Sequence, residues 1–359
     1  MKRILGIALA CLMVLPLLLI AGCGSSQQQK VLYVYNWGDY IEVDDNGVSQ
    51  VLKDFEAETG IKVVYSTFAS NEELYAKLTK NSGQYDVIVP SDYMVERMAK
   101  AGLLEEIDKS KIPNYANIDK EFQTMAFDPE GKYSVPYMWG TVGIVYNKAM
   151  VEEPVDSWSI LWNEKYSKKL FMYDSSRDSI SVALLYKGLK PNSQDDAELA
   201  QAEQALIDQK PLVLSYTLDD TRDKMLASEA AMAVVYSGDA VLIQQEAEAV
   251  GKEFGYSIPK EGSNIWMDSL CIVKGSKHKT EAEAFINFLC KPEISARNAE
   301  YICYAPPIKA AYEQLSDELK AIPALYPTEE EKARCTSYRD LGDYNAKYEE
   351  VWLRVKAAQ

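Results

Sequence analysis

Val31-Leu32-Tyr33-Val34-Tyr35 is a short apolar strand, and the residues after it change period: Val48, Val51, Leu52 and Phe55 recur at helical spacing until Gly60 stops them. Ile61-Lys62-Val63-Val64-Tyr65 returns to strand, and Asn71 can cap a helix carrying Leu74 and Leu78. Tyr85-Asp86-Val87-Ile88-Val89-Pro90 is a third strand, followed by Met94, Met98 and Leu103 on one helical stripe. This β-α-β-α-β alternation predicts a parallel sheet with right-handed crossovers. In open sheets of that kind, ligands sit beyond the carboxyl ends of the strands.

Two of those ends are alike. The first strand runs into Asn36-Trp37-Gly38-Asp39-Tyr40 and the third into Pro90-Ser91-Asp92-Tyr93, so aromatics and carboxylates share both loops. Taken singly, each loop is a surface aromatic beside a helix-capping acid, and Asp92, which precedes a helix, reads as a cap. The recurrence argues for a site. Farther on, Thr141-Val142-Gly143-Ile144-Val145-Tyr146 reads as a strand able to carry the chain to another lobe. Ser157-Trp158-Ser159-Ile160-Leu161-Trp162 suits a capped helix start, and Lys169-Leu170-Phe171-Met172-Tyr173 is a strand ending in Asp174-Ser175-Ser176-Arg177-Asp178. Ala231-Met232-Ala233-Val234-Val235-Tyr236 is a buried type of strand, and Ile265-Trp266-Met267-Asp268-Ser269-Leu270 alternates an aromatic with an acid. Residues 340–356 read as a charged helix.

The N-terminus carries Lys2 and Arg3, an almost unbroken apolar run over residues 4–20, and the closing box Leu19-Ile20-Ala21-Gly22-Cys23. That is the pattern of a bacterial lipoprotein signal, with removal of residues 1–22 and a lipid on the Cys23 thiol. A transmembrane helix of about 18 residues is the competing reading. The box, and the polar run Gly24-Ser25-Ser26-Gln27-Gln28-Gln29 directly after it, decide against that. Residues 23–29 then act as a flexible tether, and the folded body is expected outside the cytoplasm, anchored to the cell membrane or periplasmic.

Residues 30–359 are long enough for two domains. Losing Lys2 and Arg3, with no acid lost, takes the formal net charge from −16 to −18. Nucleic acid is excluded as a partner, because phosphate binding needs clustered Lys and Arg that this chain lacks. Cys271, Cys290, Cys303 and Cys335 show no CxxC spacing, and His278 is the only histidine, so zinc or histidine-based catalysis has no material to work with. A disulfide is permitted outside the cytoplasm; the spacing does not choose a pairing.

The strand ends and neighbouring stretches hold Trp37, Asp39, Tyr40, Tyr93, Asp178, Tyr236, Trp266, Asp268 and Tyr304, with little Lys or Arg among them. Indole and phenol faces attract ammonium groups and also cover methylene chains. Carboxylates supply charge-assisted acceptors for N–H donors. A linear polyamine, apolar between charged nitrogens, asks for both. Asp268 is the most telling, since an acid on an otherwise apolar strand must be solvated or paired to stay charged. Tyr236 follows a wholly apolar strand and also reads as core.

These residues carry a resemblance. The chain resembles the extracytoplasmic spermidine/putrescine-binding proteins of polyamine ABC transporters over essentially its whole mature length. The motifs are Tyr35-Asn36-Trp37-Gly38-Asp39-Tyr40, Glu58-Thr59-Gly60-Ile61-Lys62-Val63, Tyr85-Asp86-Val87-Ile88-Val89-Pro90-Ser91, Ile265-Trp266-Met267-Asp268-Ser269-Leu270 and Tyr304-Ala305-Pro306-Pro307. The resemblance implies an α/β, two-lobed periplasmic-binding-protein fold of type II. Each lobe would be a mainly parallel sheet flanked by helices, with a ligand cleft between them that closes by hinge bending. It places one lobe at 30–140 plus 266–312 and the other at 141–265 plus 313–359.

It also implies roles. Trp37 and Tyr40 match an aromatic wall and Asp39 an acid for one end of the ligand. Ser91 and Tyr93 match a second loop, Trp266 a stacking face, Asp268 the acid near the centre of the chain, and Tyr304 a further aromatic. Asp178 falls where a terminal-amine carboxylate is expected. Departures from the pattern are Ser175 in place of a second carboxylate, with Asp174 one place earlier, Tyr236 in place of a Trp, and Tyr338 in place of an amide. They bear on the choice between spermidine and putrescine. The resemblance implies a monomer with no cofactor that docks on membrane permease subunits served by a separate ATPase. The rival readings are a ferric-ion or other small-solute receptor, and a glycoside hydrolase using two of the three acids. Catalysis is not expected, as no nucleophile with a base is present.

Overall fold

Among the described residues, ten strands form one sheet: β1 (Lys30–Trp37), β2 (Ile61–Phe68), β3 (Val87–Ile88), β4 (Leu104–Glu105), β5 (Ser134–Asn147), β6 (Leu170–Tyr173), β7 (Val213–Thr217), β8 (Met232–Tyr236), β9 (Phe254–Ser257) and β10 (Ile265–Val273). The order is β2-β1-β3-β10-β5-β8-β6-β7, with β4 beside β10 and β9 beside β5. This computed structural model describes residues 29–218 and 220–358, so the signal segment and Cys23 lie outside the described residues.

β1 is parallel to β2 and β3, as the alternation predicts, and β6 is parallel to β7 and β8. The middle of the sheet is different. β10 runs antiparallel to β3, β4 and β5, and β5 antiparallel to β8 and β9, so the sheet is mixed rather than mainly parallel. The cause is the chain path. β5 pairs with β10 over its first part and with β8 and β9 over its second, so it crosses the molecule and β10 returns alongside it. A strand that returns beside the one that crossed must run the opposite way.

Local signals explain most of the elements. Ser49 caps the helix Gln50–Thr59, and Gly60 ends it at φ 70°, a left-handed conformation that glycine adopts without a Cβ clash. Ser70, not Asn71, caps the helix Asn71–Lys80. The Ser157 stretch forms a 3₁₀ turn, Trp158–Trp162, instead of an α-helix. The C-terminal helix is Asn345–Ala357. None of the described helices is long and apolar enough to cross a membrane.

The buried apolar side chains fall into two clusters. The larger includes Leu32, Phe55, Ile88, Trp139 and Phe285, together with Leu315, Leu319 and Leu325. The smaller gathers Trp158, Tyr166, Leu170, Ile180 and Leu206 around Tyr348, Trp352 and Val355 of the C-terminal helix. Each such side chain contributes about 1.5–3 kcal/mol when fully buried, enough to fix where that helix lies. The helix therefore carries Glu349, Trp352 and Lys356 to the carboxyl end of β6. Cys271, Cys290 and Cys303 are buried, Cys335 is partly so, and all four are free thiols.

Candidate functional site

A cavity of about 660 Å³ opens at the carboxyl ends of β1, β2, β3, β6, β7 and β8. Trp37, Gly38 and Tyr40 reach it from β1, residues 69–72 from β2, and Ser91, Asp92 and Tyr93 from β3. Residues 173–178 reach it from β6, Leu218 from β7, and Tyr236 and Asp239 from β8. Trp266 and Asp268 of β10 join them, with Asn264, Tyr304, Tyr338 and the three C-terminal helix residues. A larger, more open hollow of about 910 Å³ lies elsewhere, near Lys148 and Phe254. It has one aromatic, and its acids, Glu248 and Glu253, are exposed, so the smaller cavity is the candidate site.

Asp268 organises one wall. Tyr40 donates its hydroxyl to Asp268 Oδ2 at 2.7 Å, while Oδ1, equally buried, has no hydrogen-bond partner. Burial pushes this carboxyl up to about 6, against the opposing hydrogen bonds of Ser91 and Tyr40. Asn71 holds Ser91 in place, its side-chain amide donating to Ser91 Oγ at 3.1 Å and its carbonyl accepting the Ser91 amide at 3.2 Å. Trp37 donates its indole N–H to the Val89 carbonyl at 2.9 Å, and Tyr93 its hydroxyl to Glu72 at 3.0 Å.

The rings meet edge to face. Trp266 and Tyr304 lie 4.7 Å apart at 90°, and Tyr236 and Trp266 5.9 Å apart at 85°. Two glycines make room for them. A Cβ on Gly140 would stand 2.6 Å from the Trp266 ring, and one on Gly238 2.4 Å from the Tyr304 ring.

Asp178 organises the other wall. It is buried in the first turn of the helix Ser176–Tyr186, whose N-cap, Ser175, accepts the Asp178 amide through its hydroxyl at 3.3 Å. Tyr236 donates its hydroxyl to Asp178 Oδ2 at 2.9 Å and Tyr338 to Oδ1 at 3.1 Å. Burial raises this carboxyl, and the hydrogen bonds from Ser175, Tyr236 and Tyr338 oppose the rise. Asp174 is paired with the chain's own ammonium, Lys356 Nζ at 2.9 Å, and also accepts from the Trp352 indole at 3.2 Å.

The cavity thus gathers Trp37, Tyr40, Ser91, Tyr93, Ser175, Asp178, Tyr236, Trp266, Asp268, Tyr304 and Tyr338. Asp39 is the exception. It sits in a tight turn at φ 50°, exposed, and the cavity is lined by its neighbours Gly38 and Tyr40. Its charge lies close enough to Tyr65 and Tyr301 to disfavour their ionisation. The cavity also takes in residues that the motif reading did not select: Glu72, Asp92, Tyr173, Asp239, Glu349, Trp352 and Lys356. Asp239 had a usable signal, since it follows the β8 strand end as Asp178 follows β6. The C-terminal helix gave none, because its periodicity does not say which strand it packs on.

Seven acids line the cavity, Glu72, Asp92, Asp174, Asp178, Asp239, Asp268 and Glu349, against two bases, Arg177 and Lys356. Such a balance selects cations, and the nine aromatic residues around it supply cation–π faces and apolar cover. The α/β sheet with its cavity at the strand ends defines a solute receptor of the type II periplasmic-binding-protein fold. Residues 50–328 match the family described as bacterial extracellular solute-binding protein, and the chain belongs to that family.

The spermidine/putrescine-binding periplasmic protein of Salmonella typhimurium is 36% identical over 336 residues, 93% of this chain and 94% of its own. The putrescine-binding periplasmic protein SpuD of Pseudomonas aeruginosa is 34% identical over 356 residues, 95% of each chain. The crystal structure of the spermidine/putrescine substrate-binding protein PotD of Streptococcus pneumoniae superimposes with a TM-score of 0.80 at 36% identity, covering 92% of this chain and 99% of that one. The family consists of receptors that hand solutes to ABC transporters, and this chain is not an enzyme.

Proposed function

We propose that this chain binds a linear polyamine, spermidine or putrescine, in the cavity and delivers it to the membrane subunits of an ABC importer with a separate ATPase. One observation carries the reading: Trp37 and Tyr40 meet Trp266 and Asp268 around a single cavity where acids outnumber bases seven to two. The ammonium groups pair with Asp268 and Asp178, and the methylenes lie between Trp37, Tyr93, Tyr236, Trp266 and Tyr304. Ser91 positions the Asp268 carboxyl and Tyr338 the Asp178 carboxyl. The names of the relatives support the same ligand class.

In this reading residues 30–140 plus 266–312 form one lobe and residues 141–265 the other. The C-terminal helix belongs to the second, in keeping with its packing against Trp158, Leu170 and Leu206. The receptor acts as a monomer outside the cytoplasm, held to the membrane by a lipid on Cys23. Titrating spermidine, putrescine and spermine into the delipidated protein tests the ligand class. Saturable binding of at least one is expected, and no binding of any of them would overturn the reading.

A further inference from the structure

Asp92 is the first residue of the helix Asp92–Lys100, whose N-cap is Ser91 and not Asp92 as its position suggests, and its Oδ1 accepts the Tyr93 amide at 2.7 Å. An acid in the first turn of a helix is ordinarily solvated. Asp92 is 1% exposed, it lines the cavity, and its Oδ2 is buried without a hydrogen-bond partner. Its neighbour across the Ser91–Asp268 bridge is the other carboxyl with an unpartnered oxygen, Asp268 Oδ1. Two buried acids thus face one another's surroundings, each with one acceptor unused.

The groups around Asp92 do not neutralise it. Asp268 on β10 adds a like charge, which the Arg177 charge and, less, the Met267 amide oppose, and burial outweighs both. Arg177, at the start of the helix Ser176–Tyr186, directs its NH1 and NH2 to the Arg339 carbonyl, Asn345 and Asn192. Arg339 is committed to Glu96, which also holds Lys100. On its own helix Tyr93 gives its hydroxyl to Glu72. A buried carboxylate left unpaired is costly, so Asp92 is held as the neutral acid until a cation arrives. Burial, reinforced by Asp268, pushes it to about 8.

We propose that the polyamine ammonium seated on Asp268 also engages Asp92 and ionises it, so that binding releases one proton. This rests on the polyamine reading above. The O–H bond of the Asp92 carboxylic acid breaks, the proton passes to solvent, and the new carboxylate accepts an N–H from the ammonium, which keeps its charge. Asp92 becomes a second acceptor for the same nitrogen and makes the affinity pH-dependent. By linkage the affinity rises with pH, by about fivefold from pH 7 to pH 8 for a single carboxyl titrating near 8.

The test is calorimetry of the full receptor with spermidine and with putrescine at pH 7.5, in buffers of different protonation enthalpy. The wild type is expected to release more than about half a proton per ligand. Asp92→Asn, which keeps the Oδ1 acceptor for the Tyr93 amide, is expected to bind with little release. The pH series on the wild type gives a second reading that needs no variant. Binding without proton release by the wild type, equal release by Asp92→Asn, or an affinity flat between pH 7 and pH 8 would each overturn the proposal. Absence of polyamine binding by the wild type would instead overturn the parent reading.

Discussion

Two carboxylates that line the cavity, Asp268 and Asp178, are prepared in opposite ways. Asp268 has one oxygen on Tyr40 and one unpartnered, whereas both oxygens of Asp178 already accept phenol hydroxyls from Tyr236 and Tyr338. Nearby, Asp174 is paired with Lys356. An incoming ammonium meets a waiting acceptor at the first wall, and at the second it must share acceptors with donors that the chain supplies. A hydrogen bond to a charged group is worth about 1.5–3 kcal/mol, but only the difference from what it replaces counts toward affinity. On the proposed reading, the Asp268 wall contributes more to affinity than the Asp178 wall, and the Asp178 wall distinguishes ligands of different length.

The largest expected effect breaks the first wall. Asp268→Asn should weaken polyamine binding by more than tenfold, about 1.4 kcal/mol or more, in titration calorimetry. Asp178→Asn should cost less, about fivefold, because an amide oxygen still accepts from a phenol and the ligand gains less there to begin with. Equal losses at the two positions would erase the contrast. Asp268 must be ionised to bind, so affinity should fall as the pH drops through about 6, and the Asp268→Asn variant should lose that inflection.

Lys356→Met sharpens the comparison from the other side. It frees Asp174, and the expected gain is about two- to threefold for spermidine over putrescine, in keeping with the small worth of a part-exposed ion pair.

The smallest effect concerns what joins the walls. Arg339 pairs with Glu96 through Nε at 2.9 Å and NH2 at 2.8 Å, linking the helix after β3 to the segment before the C-terminal helix. Burial works against ionised Glu96, yet Arg339, the Asp340 amide and Lys100 hold it down to about 2. A depressed carboxyl contributes stability that is fully present above its ordinary value of 4.5 and is lost as the pH falls toward 2. Glu96→Gln should flatten that part of the thermal-midpoint curve by a few degrees. An unchanged acid limb would remove the pair from the account.

The strands and helices of residues 30–100 were legible because their apolar residues change period cleanly, and the strand-end rule then pointed at loops that line the cavity. Two features were not legible. The antiparallel centre depends on β5 pairing with β10, more than a hundred residues apart, which no local pattern reports. The exchange between Asp39 and Asp92 depends on backbone turns: Asp39 sits exposed in a turn at φ 50°, while Asp92, in the first turn of its helix, is buried beside the cavity. Side-chain type was visible in both loops; direction was not. Nor could the sequence say that Lys356, near the end of the chain, would reach Asp174.

The central claim is that the cavity binds charge first and methylene chain second. It is tested most directly by titrating the wild-type receptor with putrescine and with 1,4-butanediol, which keeps the four-carbon chain and removes both ammonium groups. The account predicts saturable binding of the diamine and none of the diol at millimolar concentration. Comparable affinity for the two would contradict it.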